Sequence, residues 1–211
     1  TNMRGMFDGA SNLTSLDLSS FDTSKVVDMS YLFVGLSKIT ELDVSSFNTS
    51  NVTNMRGMFD GVSNITSLDL SNFDTTKAND MNYMFLGAEK LEQLDISSFN
   101  TASVKSMKNM FSSMKALEKL DLTSFIISEN TNSQAMFSGT NNLKNLKLGL
   151  KSQLNTGMNL ENVPVTDGYT GKWQNVGSGT EDKPAGEHIW NSSEFMENFN
   201  AATMADTYVW Q

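Results

Sequence analysis

Apolar residues return at fixed places along most of the chain. Leu13, Leu16 and Leu18 are followed by Phe21, and then by Val26, Met29, Leu32 and Phe33. The first half of this pattern recurs every 26 residues, as Ile39-x-x-Leu42-x-Val44-x-x-Phe47, Ile65 to Phe73, Leu91 to Phe99 and Leu117 to Phe125. A worn version, Leu143-Lys-Asn-Leu146-Lys147-Leu148, closes the series. A fixed period of this size marks a stack of repeats, each burying its apolar face against its neighbours. Within one repeat, Leu16-x-Leu18 alternates like a short strand with both leucines inward. The turn formers Ser19 to Ser24 come next, with Thr23 or Ser24 placed to cap the element after them. Val26, Met29, Leu32 and Phe33 then share one face of a helix of about two turns.

That helix should stop at Gly9, Gly35, Gly61, Gly87 and Gly139, each in the left-handed conformation that glycine tolerates. Ser113 holds the place in one repeat, so strict left-handedness is not expected there. The recurring Met-Phe pair, from Met6-Phe7 to Met136-Phe137, reads as core, because methionine fills irregular gaps between layers. Residues 1–9 are identical to residues 53–61, so the first repeat reads as a piece of a longer, N-terminally truncated array. Tyr31, Val34 and Leu36 match Tyr83, Leu86 and Ala88 two repeats on, while Gly57, Asp60 and Val62 stand between them. This alternation is either an exposed apolar ridge or the packing consequence of duplicated pairs, the second being favoured.

Residues 1–150 are therefore assigned to about six repeats, and residues 151–211 to a capping region. In the latter, Tyr169–Val176 and Thr207–Trp210 alternate like strands that can pair. Asn191-Ser-Ser-Glu194 has the form of a capping box ahead of a short helix carrying Phe195, Met196 and Phe199. All three tryptophans fall in this segment.

The consensus LxxLDLSSFDTSxVxxMxxMFxG resembles the leucine-rich repeats of BspA-like bacterial surface proteins of Gram-positive type, and does so over residues 1–150. The segment from Tyr169-Thr-Gly-Lys-Trp173 to Ala205–Trp210 is similar to the C-terminal neighbour of such repeats in Gram-positive surface proteins. The resemblance implies an α/β solenoid: a right-handed arc with short parallel strands on its concave side and short helices, closed by a small α+β cap. It also implies extracellular display in association with the cell wall. Phe21, Phe47, Phe73, Phe99 and Phe125 stand where typical leucine-rich repeats place asparagine, so an aromatic stack is expected in place of an asparagine ladder.

Charge and composition exclude more than they assign. The net charge of −9 argues against a nucleic-acid partner. No apolar run approaches the roughly 20 residues of a membrane span. Without cysteine there is neither a disulfide framework nor a thiolate metal site. His188, the one histidine, sits in a Gly/Pro-rich stretch without a recognisable nucleophile, and Gly177–Asp182 lacks the lysine and setting of a phosphate loop. No catalytic, cofactor-binding or metal-binding residue is assigned.

One polar pattern stands out. Asp17, Asp43, Asp69, Asp95 and Asp121 alternate with the inward leucines and so share the outer face of the strands. Neighbours spaced about 4.8 Å apart repel by roughly 0.9 kcal/mol in water. Ser19, Ser45, Ser71, Ser97 and Thr123, two residues on, are the expected compensating donors; a bridging divalent cation is the other solution. With Glu41, Gln93 and Lys119 from the variable column beside them, these aspartates form the candidate binding surface. The expected function is a non-enzymatic, monomeric binding or adhesion module that contacts a host or matrix protein. That step from fold to role is analogy. Rival readings are a structural stalk, or a glycan or cell-wall hydrolase working through paired acids such as Glu187 and Glu194.

Overall fold

The computed structural model describes residues 1–166 and 168–211. Its repeats are joined by backbone bonds that leave one repeat and land on the next. The Met29, Tyr31, Phe33 and Gly35 N–H groups donate to the carbonyls of Asn54, Arg56, Met58 and Asp60, at 3.0, 2.7, 3.0 and 2.8 Å. The residues between close tight turns instead: Leu32 donates to Met29, Val34 to Tyr31 and Leu36 to Phe33. Parallel bridges Asn2↔Asp28↔Asn54↔Asp80↔Ser106↔Asn132 hold the register from repeat to repeat.

This bonding overturns the expected helices. Alternate N–H groups are spent on the neighbouring repeat, so no i to i−4 ladder can propagate. Two residues per repeat are also left-handed, Tyr31 at φ 57° and Gly35 at φ 72°, which an α-helix does not admit. A chain of tight turns buries Met29, Leu32 and Phe33 as completely as a helix face would. Ser113 at φ 60° is left-handed after all, because its N–H must reach the Ser138 carbonyl at 2.7 Å in the same way as the glycines it replaces.

Strands are equally sparse. Only β1 (Lys119–Leu122) and β2 (Asn145–Leu148) form in the repeats, parallel and paired Lys119↔Asn145 to Leu122↔Leu148. In earlier repeats side chains bridge this face, as Ser46 Oγ does to the Leu18 carbonyl and Asn72 Nδ2 to the Val44 carbonyl. The remaining elements lie in the tail: a 3-10 turn (Thr156–Met158), β3 (Trp173–Asn175), β4 (Ile189–Trp190), α1 (Ser192–Asn198), α2 (Ala201–Met204) and β5 (Thr207–Trp210). They complete one mixed sheet of five strands in the order β1-β2-β5-β3-β4, antiparallel beyond β2. The α/β solenoid, a right-handed leucine-rich-repeat arc of strand and helix, is therefore not the fold observed. Among the described residues the repeats contribute stacked turns and two strands, and the helices lie outside them.

The core is a column of phenylalanines, drawn from the Met-Phe pairs. Phe7, Phe33, Phe59, Phe85, Phe111 and Phe137 stack with centroids 5.6–6.2 Å apart. Phe21, Phe47, Phe73 and Phe125, expected to stack on one another, each lean on a member of that column instead. The polar ladder between repeats belongs to threonine. Thr49 Oγ1 donates to the Asp74 carbonyl at 2.9 Å and accepts from the Asp74 N–H at 2.8 Å. Thr23, Thr75 and Thr101 do the same for residues 48, 100 and 126, and all four threonines are buried. One hydroxyl thus satisfies both backbone groups of a turn that would otherwise be stranded.

At the far end, residues 157–161 meet the sixth repeat where a further one would stand. The Met158 carbonyl accepts from Phe137, and the Glu161 carboxylate accepts the Gly139 N–H at 2.6 Å. The expected capping box is present, with Asn191 Oδ1 taking the Glu194 N–H and Glu194 Oε2 taking the Asn191 N–H. Helix α1 thereby seats Phe195 between Trp173, Trp190 and Tyr208. The indole N–H of Trp173 donates to Ser192 Oγ at 3.0 Å. Among the described residues no helix is long and apolar enough to cross a membrane.

Candidate functional site

The aspartate column lies where alternation put it. Leu18, Val44, Leu70, Ile96 and Leu122 are buried, while Asp17, Asp43, Asp69 and Asp95 between them are exposed and Asp121 is half-buried. Each carboxylate is held by its own repeat. Oδ1 accepts the N–H two residues on at 2.8–3.0 Å, from Ser19, Ser45, Ser71, Ser97 and Thr123 in turn. Asp17 and Asp121 also take the hydroxyl, at 2.7 and 2.6 Å. These donors are the ones the sequence supplied, working within a repeat and not across two.

The electrostatic result is a row of fixed anions. The Ser19 backbone and hydroxyl bonds lower the Asp17 pKa below the ordinary carboxylate value, and Ser71 does so for Asp69. The hydroxyl and then the backbone of Ser45 and Ser97 lower Asp43 and Asp95. At Asp121 burial pushes upward most strongly, yet the Thr123 bonds and Lys147 together carry the group below the ordinary value. Neighbouring aspartates oppose these shifts without reversing them.

Gln93, Asp95, Lys119 and Asp121 come together in a groove of about 980 Å³, walled also by Glu92, Glu118, Lys147 and Glu181. Asp17 and Asp43 line a smaller recess of about 340 Å³. Glu41 and Asp69 are exposed and line neither. The two lysines of the groove are already engaged. Lys119 Nζ lies 2.7 Å from Glu181, and Lys147 Nζ lies 3.1 Å from Asp121 Oδ2. Glu92 and Asp95 are acids in excess of those pairs, while Glu118 is itself paired with Lys144 at 2.9 Å. A separate cleft of about 610 Å³ between residues 123–126, 147–151 and 205–207 holds none of the candidate residues.

Sequence reasoning missed Glu181 and Lys147. Lys147 was legible only as a worn aspartate, although a lysine opposite Asp121 on a parallel neighbour is an obvious partner. Glu181 carries no positional signal, because antiparallel pairing of β3 with β4 and β5 is what carries its loop to Lys119. Among the described residues no group of three or more potential ligands is placed to hold a metal ion. His188 stacks on Trp190 at 4.8 Å, and Glu194 is committed to the capping box. The alternation of Tyr31 with Gly57 is packing: a Cβ on Gly57 would stand 2.5 Å from Tyr31 Cδ1.

No curated protein matches the chain. One family matches it twice, over residues 1–68 and again over residues 60–159. The matched stretch covers every repeat and ends close to Glu161, whose carboxylate accepts the Gly139 N–H. The chain belongs to the family described as Mycoplasma protein of unknown function, DUF285.

Proposed function

We propose that the chain is a non-enzymatic binding module of an extracellular, wall-associated adhesion protein. It acts as a monomer, and the strand-face groove takes up a basic segment of a host or matrix protein. The observation that carries this reading is the pre-set electrostatics of the groove. Its Asp95 and Asp121 carboxylates are fixed by Ser97 and Thr123 donors and stay ionised, while its lysines are already paired. Binding a cationic side chain there requires little reorganisation, which favours affinity and steers association. The likeness of the repeats to BspA-like surface proteins supports the cellular setting.

The test is capture of purified matrix proteins and mucins by the wild-type protein and by an Asp95→Asn/Asp121→Asn variant, across a salt series. A bound partner should be lost by the variant at least tenfold and should weaken steadily with added salt. Equal binding by the variant, or binding indifferent to salt, overturns the groove as the contact surface.

A further inference from the structure

Two polar columns of the repeat turn apolar at the same place in the fold. Asp22, Asn48, Asp74 and Asn100 are followed 26 residues on by Ile126, and Ser20, Ser46, Asn72, Ser98 and Ser124 by Leu150. The polar members have structural duties. Asp22, Asn48, Asp74 and Asn100 each accept the N–H two residues on, and Asn72 Nδ2 donates to the carbonyls of Val44 and Phe47. Where the columns change, neighbours perform both duties. The Ser128 N–H goes to Thr131 Oγ1 at 3.2 Å. Ser152 Oγ donates to the Leu122 carbonyl at 2.6 Å, with that of Phe125 3.1 Å away, and these carbonyls are the equivalents of Val44 and Phe47. The backbone is thus satisfied without Ile126 or Leu150, and Leu150 is 68% exposed.

Both residues line the cleft of about 610 Å³ beside the start of β5. Leu150 is held out on a pinned turn: the Ser152 N–H donates to the Gly149 carbonyl, and Ser152 Oγ accepts the Gly149 N–H, each at 3.2 Å. The cleft differs in chemistry from the acidic groove. The acid in its wall, Asp206, is engaged by Asn175 Nδ2 and by the N–H groups of Gly177 and Thr207. Its exposed charge is Lys151, which disfavours a cation there. Lys147, paired with Asp121, forms part of both walls, so cleft and groove adjoin along β1 and β2.

We infer that the cleft is the second half of the docking surface and takes an apolar side chain of the same segment whose cation enters the groove. This rests on the groove being the contact surface. The cleft begins at Thr123, two residues beyond Asp121, and Leu150 lies three beyond Lys147. At about 3.3 Å per extended residue, the cation and the apolar side chain of the ligand stand roughly two to four residues apart. The ligand is therefore a short extended motif, basic and then apolar, and not a polybasic tract. The apolar anchor adds affinity, and the charges set the register.

The test uses two capped peptides in a serine background, one with two lysines and a phenylalanine three residues away, the other with serine in place of the phenylalanine. Titrated at low salt, the wild-type protein should bind the phenylalanine peptide at least about fivefold tighter. Ile126→Asn/Leu150→Ser, which restores the residues of the other repeats, should bring the two peptides to equal affinity, whereas Leu150→Met should keep the preference. Asp95→Asn/Asp121→Asn should weaken both. Equal binding of the two peptides by wild type, or a preference that survives Ile126→Asn/Leu150→Ser, overturns the cleft and leaves the groove standing. Binding of neither peptide, or binding indifferent to the aspartate variant, overturns the groove and the cleft with it. Concentration-dependent dimerisation of wild type that Ile126→Asn/Leu150→Ser abolishes would give the cleft to a second copy of the chain and overturn the inference.

Discussion

Lys119 Nζ and Glu181 Oε2 lie 2.7 Å apart, joining the fifth repeat to a loop 62 residues further along the chain. The pair is largely exposed, so it adds little to stability, but it decides how many free cations the groove contains. The lysine lowers the pKa of the carboxylate, and the carboxylate raises that of the lysine, through the same contact.

Glu181→Gln should therefore separate charge from fold. The melting temperature should stay within about 2 °C of wild type, as expected for loss of an exposed ion pair worth under about 1 kcal/mol. Affinity for a basic peptide should fall several-fold as Lys119 is released into the groove. Titration of an oligolysine probe at low salt checks this, and unchanged affinity would show that Glu181 lies outside the contact surface.

Thr75→Val should cost about 1–3 kcal/mol, because the buried hydroxyl serves both the carbonyl and the N–H of Asn100 and valine leaves them unpaired. Thr76→Val, next to it but exposed and with its hydroxyl bonded only to Asp74, should cost less than about 0.5 kcal/mol. Urea unfolding of both variants measures the difference.

Asp60 predicts a pH dependence of opposite sign to that of the aspartate column. Burial raises its pKa from 3.8 to about 6. The folded state thus binds this proton more tightly than the unfolded chain, so stability falls as pH rises from about 4 to about 6 and stays reduced above. Asp60→Asn should remove that loss and stabilise the protein at pH 7 by about 1 kcal/mol, allowing for solvent screening. In thermal melts, stability at pH 7 relative to pH 4 should be higher in the variant than in wild type.

Replacing Asp69 and Asp95 together with asparagine should lower stability at pH 7. The lowered pKa values of these groups mean that the fold favours their charged form, a contribution present above the ordinary carboxylate value and lost in acid. Calcium should leave the melting temperatures of wild type and variant alike unchanged. A calcium-induced rise confined to wild type would make the column a metal site.

Much of the site was legible because a strand-like alternation has only two faces: once Leu18 and Leu70 are inside, Asp17 and Asp69 are outside. The capping box at Asn191 and Glu194 was legible for a similar reason, since it is local. The turns were not. Apolar spacing at three and four residues satisfies a helix and a run of tight turns equally, and only φ at Tyr31 and its equivalents separates them. One signal was available, for Tyr31 shares its repeat position with Gly5 and Gly57, and a glycine recurring in that column argues for a left-handed backbone. Long-range contacts such as Lys119 with Glu181 depend on how β5 joins β2, which no local pattern encodes.

The turn-to-turn bonds also give the stack an electrical direction. Four amides of the second repeat, Met29, Tyr31, Phe33 and Gly35, aim their N–H groups toward the C-terminal neighbour, against those of Thr53 and Asn54, which share the Val27 carbonyl and run the other way. Peptide dipoles lined up in this manner add, as they do along a helix axis, although here they add across the chain's path. The end at residues 1–9 is consequently the negative pole and the end at Gly139 the positive one. Glu161 places its carboxylate on the Gly139 N–H, at the pole where a negative charge is most favoured.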